Sequence, residues 1–299
     1  MKMNRRTFLN TLGVLGCAAL LPKSLWGKQL PVDDARMYME AAWKKLGKMT
    51  SQRYQFRYIE PIANLPKVFL YGDSISIGYT EFVRQSLSGE ACVYRLHENG
   101  GASTEFIPKM EAFRKGLFQP DLKNGWDFNW DVIYFNVGLH DLKYLLGNKL
   151  DKVNGTQVTS IESYAKNLNE IVKYLKSTYP KAKLIFATTT PVPDGEPGRF
   201  ARDEVRYNDA ARKVLRDFKD VILNDLHQFS LPLMEKYAEG SGNVHYTPEG
   251  SRLQGIEVAK IIAKVLGVKV HECPSAATIV DEINEYGKSI GQKQNVIMH

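Results

Sequence analysis

Short apolar runs alternate with amphipathic helical segments through most of this chain, and this alternation restricts the fold more than any other feature. Each run is a few residues long and is bounded by polar or glycine-containing turns. Such runs are typical of strands buried on both faces. Strands that alternate with helices form a parallel sheet covered by helices on both sides. The pattern therefore predicts an α/β fold, a three-layer sandwich around a five-stranded parallel sheet.

The predicted elements follow one another in a regular order. The predicted strands are residues 69–71, 91–96, 132–137, 184–188 and 221–223. The predicted helices are residues 32–48, 79–87, 104–115, 161–179, 203–218 and 249–266, with a further helix in the tail. In such a sheet, side chains that follow the carboxyl ends of the strands lie along one edge, where ligands bind.

The chain of 299 residues is expected to contain one main domain, residues 67–267. An N-terminal helix and lead-in segment precede it at residues 28–66, and a helical tail follows at 268–299. Residues 1–27 combine Arg5 and Arg6 with an uncharged apolar stretch too short to span a bilayer. These features predict a removable export signal that resembles a twin-arginine signal, and hence a periplasmic or extracellular protein. Attachment as a lipoprotein through Cys17 is an alternative.

Charge and cysteine content narrow the classes of partner and cofactor. The formal charge falls from +7 to +3 without the four basic residues of the first 27, and no basic run remains. We therefore expect no nucleic-acid partner and no stable membrane span. Residues with zinc-ligand spacing and a phosphate-binding glycine loop are both missing, so we predict no metal and no cofactor. Cys92 and Cys273 either form a disulfide or remain as two thiols.

A candidate nucleophile stands where the first predicted strand ends. Gly72, Asp73 and Ser74 follow the apolar run directly, which predicts a tight turn that holds the serine oxygen beside the start of a helix. A serine needs a base to take its proton, and the usual base is a neutral imidazole. His245 precedes Thr247, a predicted cap of the last long helix, and is the candidate base.

Four blocks of this sequence resemble those of the SGNH hydrolases, also called GDSL esterases and lipases. The blocks are Tyr-Gly-Asp-Ser-Ile at 71–75, Asn-Gly-Gly-Ala-Ser at 99–103, Asn-Val-Gly-Leu-His-Asp-Leu at 136–142 and Asn-Val-His-Tyr-Thr at 243–247. The resemblance implies a flavodoxin-like sheet and a Ser74–His245 pair. It also implies an oxyanion hole formed by the N–H groups of Ser74 and Gly101 together with a side chain of the third block.

Two positions depart from the family pattern. His140 occupies the place of the asparagine that donates to the oxyanion, and its imidazole can do so only in one tautomer. Asn136 is another candidate for this role, or it ties two loops together. Gly242 occupies the place of the aspartate that orients the base, which leaves the neighbouring Asn243 or a backbone carbonyl as orienter. Asp73 and Asp141 are expected to anchor their loops.

The resemblance implies an exported serine esterase that forms an acyl-enzyme and has a small-molecule or polysaccharide ester as substrate. Family and compartment together favour a carbohydrate O-acetylesterase. The alternatives are a glycan-binding protein and a glycosidase that uses carboxylates such as Asp73, Asp141 or Glu249. Aromatic side chains of residues 118–130 either stack on a sugar or belong to the core, and these are Trp126, Phe128 and Trp130.

Overall fold

The computed structural model describes residues 32–47, 53–117 and 129–290. The predicted export signal with Cys17, and the side chains of Trp126 and Phe128, lie outside the described residues. Within these ranges, none of the helices combines the length and apolar character needed to cross a bilayer.

A five-stranded parallel sheet forms the centre of the protein, as predicted. The strands of the described chain are β1 (Lys67–Tyr71), β2 (Cys92–Arg95), β3 (Val132–Phe135), β4 (Tyr144–Leu146), β5 (Lys149–Leu150), β6 (Thr156–Gln157), β7 (Lys183–Ala187) and β8 (Ile222–Asn224). The strand order of the main sheet is β2-β1-β3-β7-β8, the order of the flavodoxin fold. The other three strands are short and form a separate antiparallel sheet that was not predicted, in the order β5-β4-β6.

Helices flank the main sheet, and their bounds differ from the predicted ones by a few residues at most ends. The α-helices of the described chain are α1 (Val32–Gly47), α2 (Ser74–Ser86), α3 (Phe106–Leu117), α4 (Ile161–Thr178), α5 (Asp203–Leu215), α6 (Leu226–Tyr237), α7 (Pro248–Leu266) and α8 (Ala276–Ser289). A short 3₁₀ helix, Ser103–Glu105, precedes α3. Helix α6 was not predicted, and it contains Pro232.

Helix α4 shows how local sequence determines an element of this fold. Ser160 caps it by accepting a hydrogen bond of 3.2 Å from the backbone N–H of Ser163. The predicted apolar stripe is buried, as expected for an amphipathic helix that covers a sheet with its apolar face. The stripe consists of Tyr164, Leu168, Ile171 and Leu175.

Helix α2 begins at Ser74 itself rather than at residue 79 as predicted. Asp73 caps it, because its carboxylate accepts a hydrogen bond of 3.0 Å from the N–H of Ile75. The candidate nucleophile is therefore the first residue of a helix. The backbone N–H of such a residue has no acceptor within its own helix, and it lies at the positive end of the helix dipole.

Helices α2 and α7 pack directly against each other. A Cβ atom added to Gly255 of α7 would lie 2.5 Å from Cβ of Phe82 and 2.9 Å from the carbonyl oxygen of Tyr79. Only glycine permits so close an approach of the two helices. Since Ser74 begins α2 and His245 precedes α7, this contact brings the candidate nucleophile and base to the same end of the sheet.

The structure also decides two questions that the sequence left open. Cys92 and Cys273 are both buried and free, so they form no disulfide. Trp130 belongs to the core with an exposed fraction of 2%, and its ring lies 5.0 Å from that of Phe69. Trp130 is therefore unavailable for stacking on a sugar.

Candidate active site

Ser74 and His245 lie within hydrogen-bonding distance although they are 171 residues apart in the chain. Nε2 of His245 is 2.8 Å from Oγ of Ser74. Both side chains are partly exposed and line a cavity of about 780 Å³. This is the contact that a histidine base needs in order to take the hydroxyl proton.

Asn243 orients the imidazole of His245. Its Oδ1 lies 2.9 Å from Nδ1 of His245 and 3.0 Å from the backbone N of the same residue. The backbone N–H can only donate, so the atom that faces it must be the amide oxygen. That oxygen then accepts the Nδ1 proton, which leaves Nε2 as the unprotonated nitrogen that faces Ser74. Asn243, one of the predicted orienters, therefore holds the ring in the tautomer of a base.

Glu239 holds the other end of the same amide. Nδ2 of Asn243 donates to Oε2 of Glu239 at 3.3 Å. Glu239 is the second residue after the end of helix α6, and it is exposed. Ser74, His245, Asn243 and Glu239 thus form one chain of hydrogen bonds in which the amide stands between the imidazole and a carboxylate.

The position of the family's aspartate has no room for a side chain here. Gly242 has φ = +70°, and an added Cβ would lie 2.6 Å from the carbonyl oxygen of Gly195. The backbone conformation and the close carbonyl both require glycine. The orienting group must therefore come from another position, and Asn243 supplies it from the next residue.

His140 has the protonation state that a hydrogen-bond donor needs. Its Nδ1 lies 3.1 Å from Nζ of Lys143, and an ammonium group can only donate, so Nε2 must carry the ring proton. Burial lowers the pKa of His140 to about 3, and the charges of Lys143 and Arg199 act in the same direction. The ring is neutral above that pH and lines the same cavity as Ser74.

The N–H of Gly101, the other predicted oxyanion donor, is engaged within the protein. It donates to Oδ1 of Asn99 at 2.9 Å. Asn99 lines the cavity, whereas Gly101 is buried and is not among the described residues that line it. The N–H of Ser74 is the remaining predicted donor, and it has the favourable position at the start of α2 described above.

Asp141 ties together the two loops that carry Gly101 and His140. Its Oδ1 and Oδ2 lie 3.1 and 3.0 Å from the N of Ser103, and Oγ of Ser103 donates to Oδ1 at 2.5 Å. Asp141 is fully buried, and burial raises its pKa to about 6. Asp73 is also buried, which raises its pKa, and it caps α2. Both carboxylates have the anchoring positions predicted for them.

Asn136 ties two strand ends together, which was one of the two roles considered. Its Nδ2 donates to the carbonyl oxygen of Ala187 at 2.7 Å, between the ends of β3 and β7.

Glu249, a carboxylate considered for a glycosidase, is paired with Arg252 at 2.7 Å. The described residues that line the cavity do not include Asn136, Asp73, Asp141 or Glu249. In the same ranges, no group of three or more His, Cys, Asp or Glu side chains has the arrangement of a metal site.

Several cavity residues escaped the sequence analysis. The only sequence feature that could have indicated Lys143 as a cavity residue is its position three residues after His140 in the same loop. Arg53, Glu196, Arg199 and Glu239 also line the cavity and come from three segments outside the recognised blocks. No local pattern marks such residues, because the fold alone brings them together.

The comparisons with known proteins agree with this fold. Residues 70–253, more than half of the chain, match the model of the GDSL-like Lipase/Acylhydrolase family. The search of curated proteins finds no match. A lipase/acylhydrolase from Enterococcus faecalis superposes with a TM-score of 0.51 at 16% identity over 71% of this chain and 100% of that chain. An acetyl xylan esterase has a TM-score of 0.50 at 18% identity, over 66% and 99%. The two likenesses concern the fold, whereas the family match shows that this chain belongs to the GDSL-like lipase/acylhydrolases, the SGNH hydrolases.

Proposed function

We propose that this protein is an exported serine esterase that hydrolyses O-acetyl esters of carbohydrates through an acyl-enzyme. The observation that carries the proposal is the 2.8 Å contact between Nε2 of His245 and Oγ of Ser74, with Asn243 fixing the tautomer from the other side of the ring. Family membership supports ester hydrolysis as the reaction.

Acylation begins when Oγ of Ser74 attacks the ester carbonyl and its proton passes to Nε2 of His245. The carbonyl oxygen becomes an oxyanion that accepts hydrogen bonds from the N–H of Ser74 and from Nε2–H of His140. One such donor typically contributes a hundredfold to a thousandfold in rate, or about 3 to 4 kcal/mol. The intermediate then collapses, the bond to the alcohol breaks, and His245 gives its proton to the departing alkoxide.

Deacylation repeats these steps with water as the nucleophile. His245, again neutral, takes a proton from water while the water oxygen attacks the acyl carbon. The bond to Oγ of Ser74 breaks, His245 returns the proton to Oγ, and the carboxylic acid leaves. Asn243 supports the imidazolium in each half-reaction through the dipole of its amide rather than through a full negative charge.

The cavity supports a small polar ester as substrate. Its volume of about 780 Å³ lies within the usual range for small-molecule sites and has room for a sugar unit around the scissile bond. Its wall combines polar side chains, among them Asn99 and Arg199, with apolar ones such as Phe56 and Leu145. The polar groups can bind the hydroxyl groups of a sugar, and the apolar side chains can pack against the carbon atoms of its ring.

The first experiment identifies the nucleophile. Ser74→Ala is expected to abolish hydrolysis of a short-chain aryl acetate and labelling by a fluorophosphonate, without changing the circular dichroism spectrum. Ser76→Ala is the matched control, because the hydroxyl of Ser76 donates to the carbonyl oxygen of Asp73 inside the protein. The control should still be labelled. Hydrolysis that persists in Ser74→Ala would contradict the proposal.

The second experiment identifies the substrate. Acetate release is measured from a panel of acetylated polysaccharides, with Ser74→Ala as the blank. Release by the wild-type protein alone supports carbohydrate acetylesterase activity. Reducing sugar without acetate would identify a glycosidase, and hydrolysis of aryl esters alone would leave an esterase of another substrate class.

Export is proposed from the first 27 residues of the sequence. Cell fractionation of the wild-type chain and of a variant with Arg5→Lys and Arg6→Lys tests it, and retention of only the variant in the cytoplasm is expected. The mass of the exported protein distinguishes cleavage near Gly27 from lipid attachment at Cys17.

A further inference from the structure

Three cationic side chains line the cavity that contains Ser74 and His245. They are Arg53, Lys143 and Arg199, and they come from three segments of the chain. None of them takes or gives up a proton in the chemistry proposed above, in which Lys143 only fixes the tautomer of His140. Their positive charges therefore point to a role in binding the substrate.

The carboxylates of the cavity do not neutralise all three cations. Glu196 is buried, and both of its oxygens are occupied, Oε1 by Nη1 of Arg199 at 2.6 Å and Oε2 by the N–H of Gly198 at 2.7 Å. Glu196 therefore compensates Arg199. Glu239 accepts from the amide of Asn243 and is exposed, so water screens its charge.

Lys143 and Arg53 have no carboxylate within ion-pair distance in the part of the chain that the structure describes, and Glu105 acts on Lys143 only from further away. Nζ of Lys143 lies 3.1 Å from Nδ1 of His140, which is a neutral partner. Arg53 forms no ion pair with any described residue. Both side chains are partly buried, and burial lowers the pKa of each. A cation that has lost part of its hydration without gaining a counter-ion is stabilised when an anion binds beside it.

We propose that Arg53 and Lys143 form a subsite for a negatively charged group on the alcohol part of the ester, so that the preferred substrate is the acetyl ester of an acidic sugar. This inference rests on the proposed function. An anionic group held there places the ester beside Ser74, and charged hydrogen bonds contribute more to binding than neutral ones do.

The test compares two esters that differ in charge alone. One is a mono-O-acetylated methyl glucuronoside, and the other is its carboxamide, which has nearly the same shape and no charge. We expect kcat/KM of the wild-type protein to be about tenfold or more higher for the acid, chiefly through KM. The preference should shrink when salt is raised from about 0.05 to about 0.5 M. Equal kcat/KM values for the two esters would overturn the inference and leave the esterase proposal intact.

Variants attribute the preference to the subsite. Arg53→Gln is expected to lower the ratio of kcat/KM for the acid to that for the amide by about fivefold or more, and Arg53→Lys to retain most of it. Lys166→Gln removes one positive charge from the exposed face of α4 outside the cavity, and it should leave the ratio unchanged. An equal fall in Lys166→Gln and Arg53→Gln would show a general effect of net charge and overturn the subsite.

A binding measurement separates this inference from the proposed function. Calorimetry with Ser74→Ala needs no turnover, and tighter binding of the acid than of the amide supports the subsite even if the wild-type protein hydrolyses neither ester. Equal binding overturns it. Failure of hydrolysis with every ester and retention of the binding preference would refute the esterase proposal alone.

Discussion

A charged orienter can be installed at the base only if the neighbouring carboxylate is removed at the same time. Asn243→Asp would replace Nδ2, which now donates to Oε2 of Glu239 at 3.3 Å, by a second carboxylate oxygen. Two unit charges at that distance repel by about 1 kcal/mol in a water-like medium and about 5 kcal/mol at an effective dielectric constant of 20. Glu239 is exposed, so the cost lies toward the lower figure.

Removal of this repulsion should reveal the benefit of the charge. A carboxylate that accepts from imidazolium gains about 1 kcal/mol over an amide, which corresponds to about fivefold in rate. We therefore expect Asn243→Asp alone to be no faster than wild type, and Asn243→Asp with Glu239→Gln to raise kcat/KM about fivefold. The acid limb of the pH profile of the double variant should move upward by about one unit, because the added charge favours the protonated imidazole.

The assay is hydrolysis of a short-chain aryl acetate between about pH 5 and pH 9, the range in which imidazole bases titrate. Glu239→Gln alone is the control, and it should stay near wild-type activity because a Gln oxygen can still accept from Nδ2 of Asn243. A gain in Asn243→Asp alone that equals the gain in the double variant would refute the role given to Glu239. A loss of more than about tenfold in the double variant would refute the orientation of Asn243 described here.

Three further predictions test the supporting residues. Lys143→Met removes the donor that fixes the tautomer of His140, so kcat on an aryl acetate should fall about tenfold. His140→Leu should lower kcat a hundredfold or more, and an unchanged kcat in Lys143→Met would contradict the role given to Lys143. Gly242→Asp should lower the free energy of unfolding by roughly 2 kcal/mol or more in urea denaturation, whereas Gly240→Ala, where no atom lies within 4 Å of an added Cβ, should be nearly neutral. Folding lowers the pKa of His140 from 6.5 to about 3, so between these two pH values only the unfolded chain binds a proton at this residue. Relative to His140→Asn, the free energy of unfolding of wild type should therefore fall by about 1.4 kcal/mol for each unit of acidification between pH 6.5 and about 3.

The main sheet and the candidate catalytic pair were predictable because each has a local signal. Buried strands such as β3 appear as apolar runs, and their alternation with helices leaves few topologies. Ser74 follows a strand directly, and His245 precedes a capped helix. The bounds of α2 were less accurate, because its first turn, which contains Ser74 and Ser76, has the composition of a loop.

The elements that escaped prediction lack such signals. Strands β5 and β6 have two residues each, and Leu146 and Leu150 of the small sheet are exposed, so no apolar run marks it. Helix α6 contains Pro232, which in a sequence indicates the end of a helix rather than its interior. The tautomer of His140 depends on its contact with Lys143, which the sequence does not reveal. The glycine at position 242, where the family has an aspartate, is explained by the nearby carbonyl of Gly195, and the sequence does not reveal that contact either.

The close packing of α2 on α7 at Gly255 makes hydrolysis a late event in folding. The nucleophile and the base are separated by 171 residues, and this contact closes the loop between them. Such non-local contacts form late, since the entropy of loop closure must be overcome first. A refolding chain should therefore regain its helical signal and the burial of Trp130 before it regains activity, and the return of hydrolysis would time the docking of the last long helix.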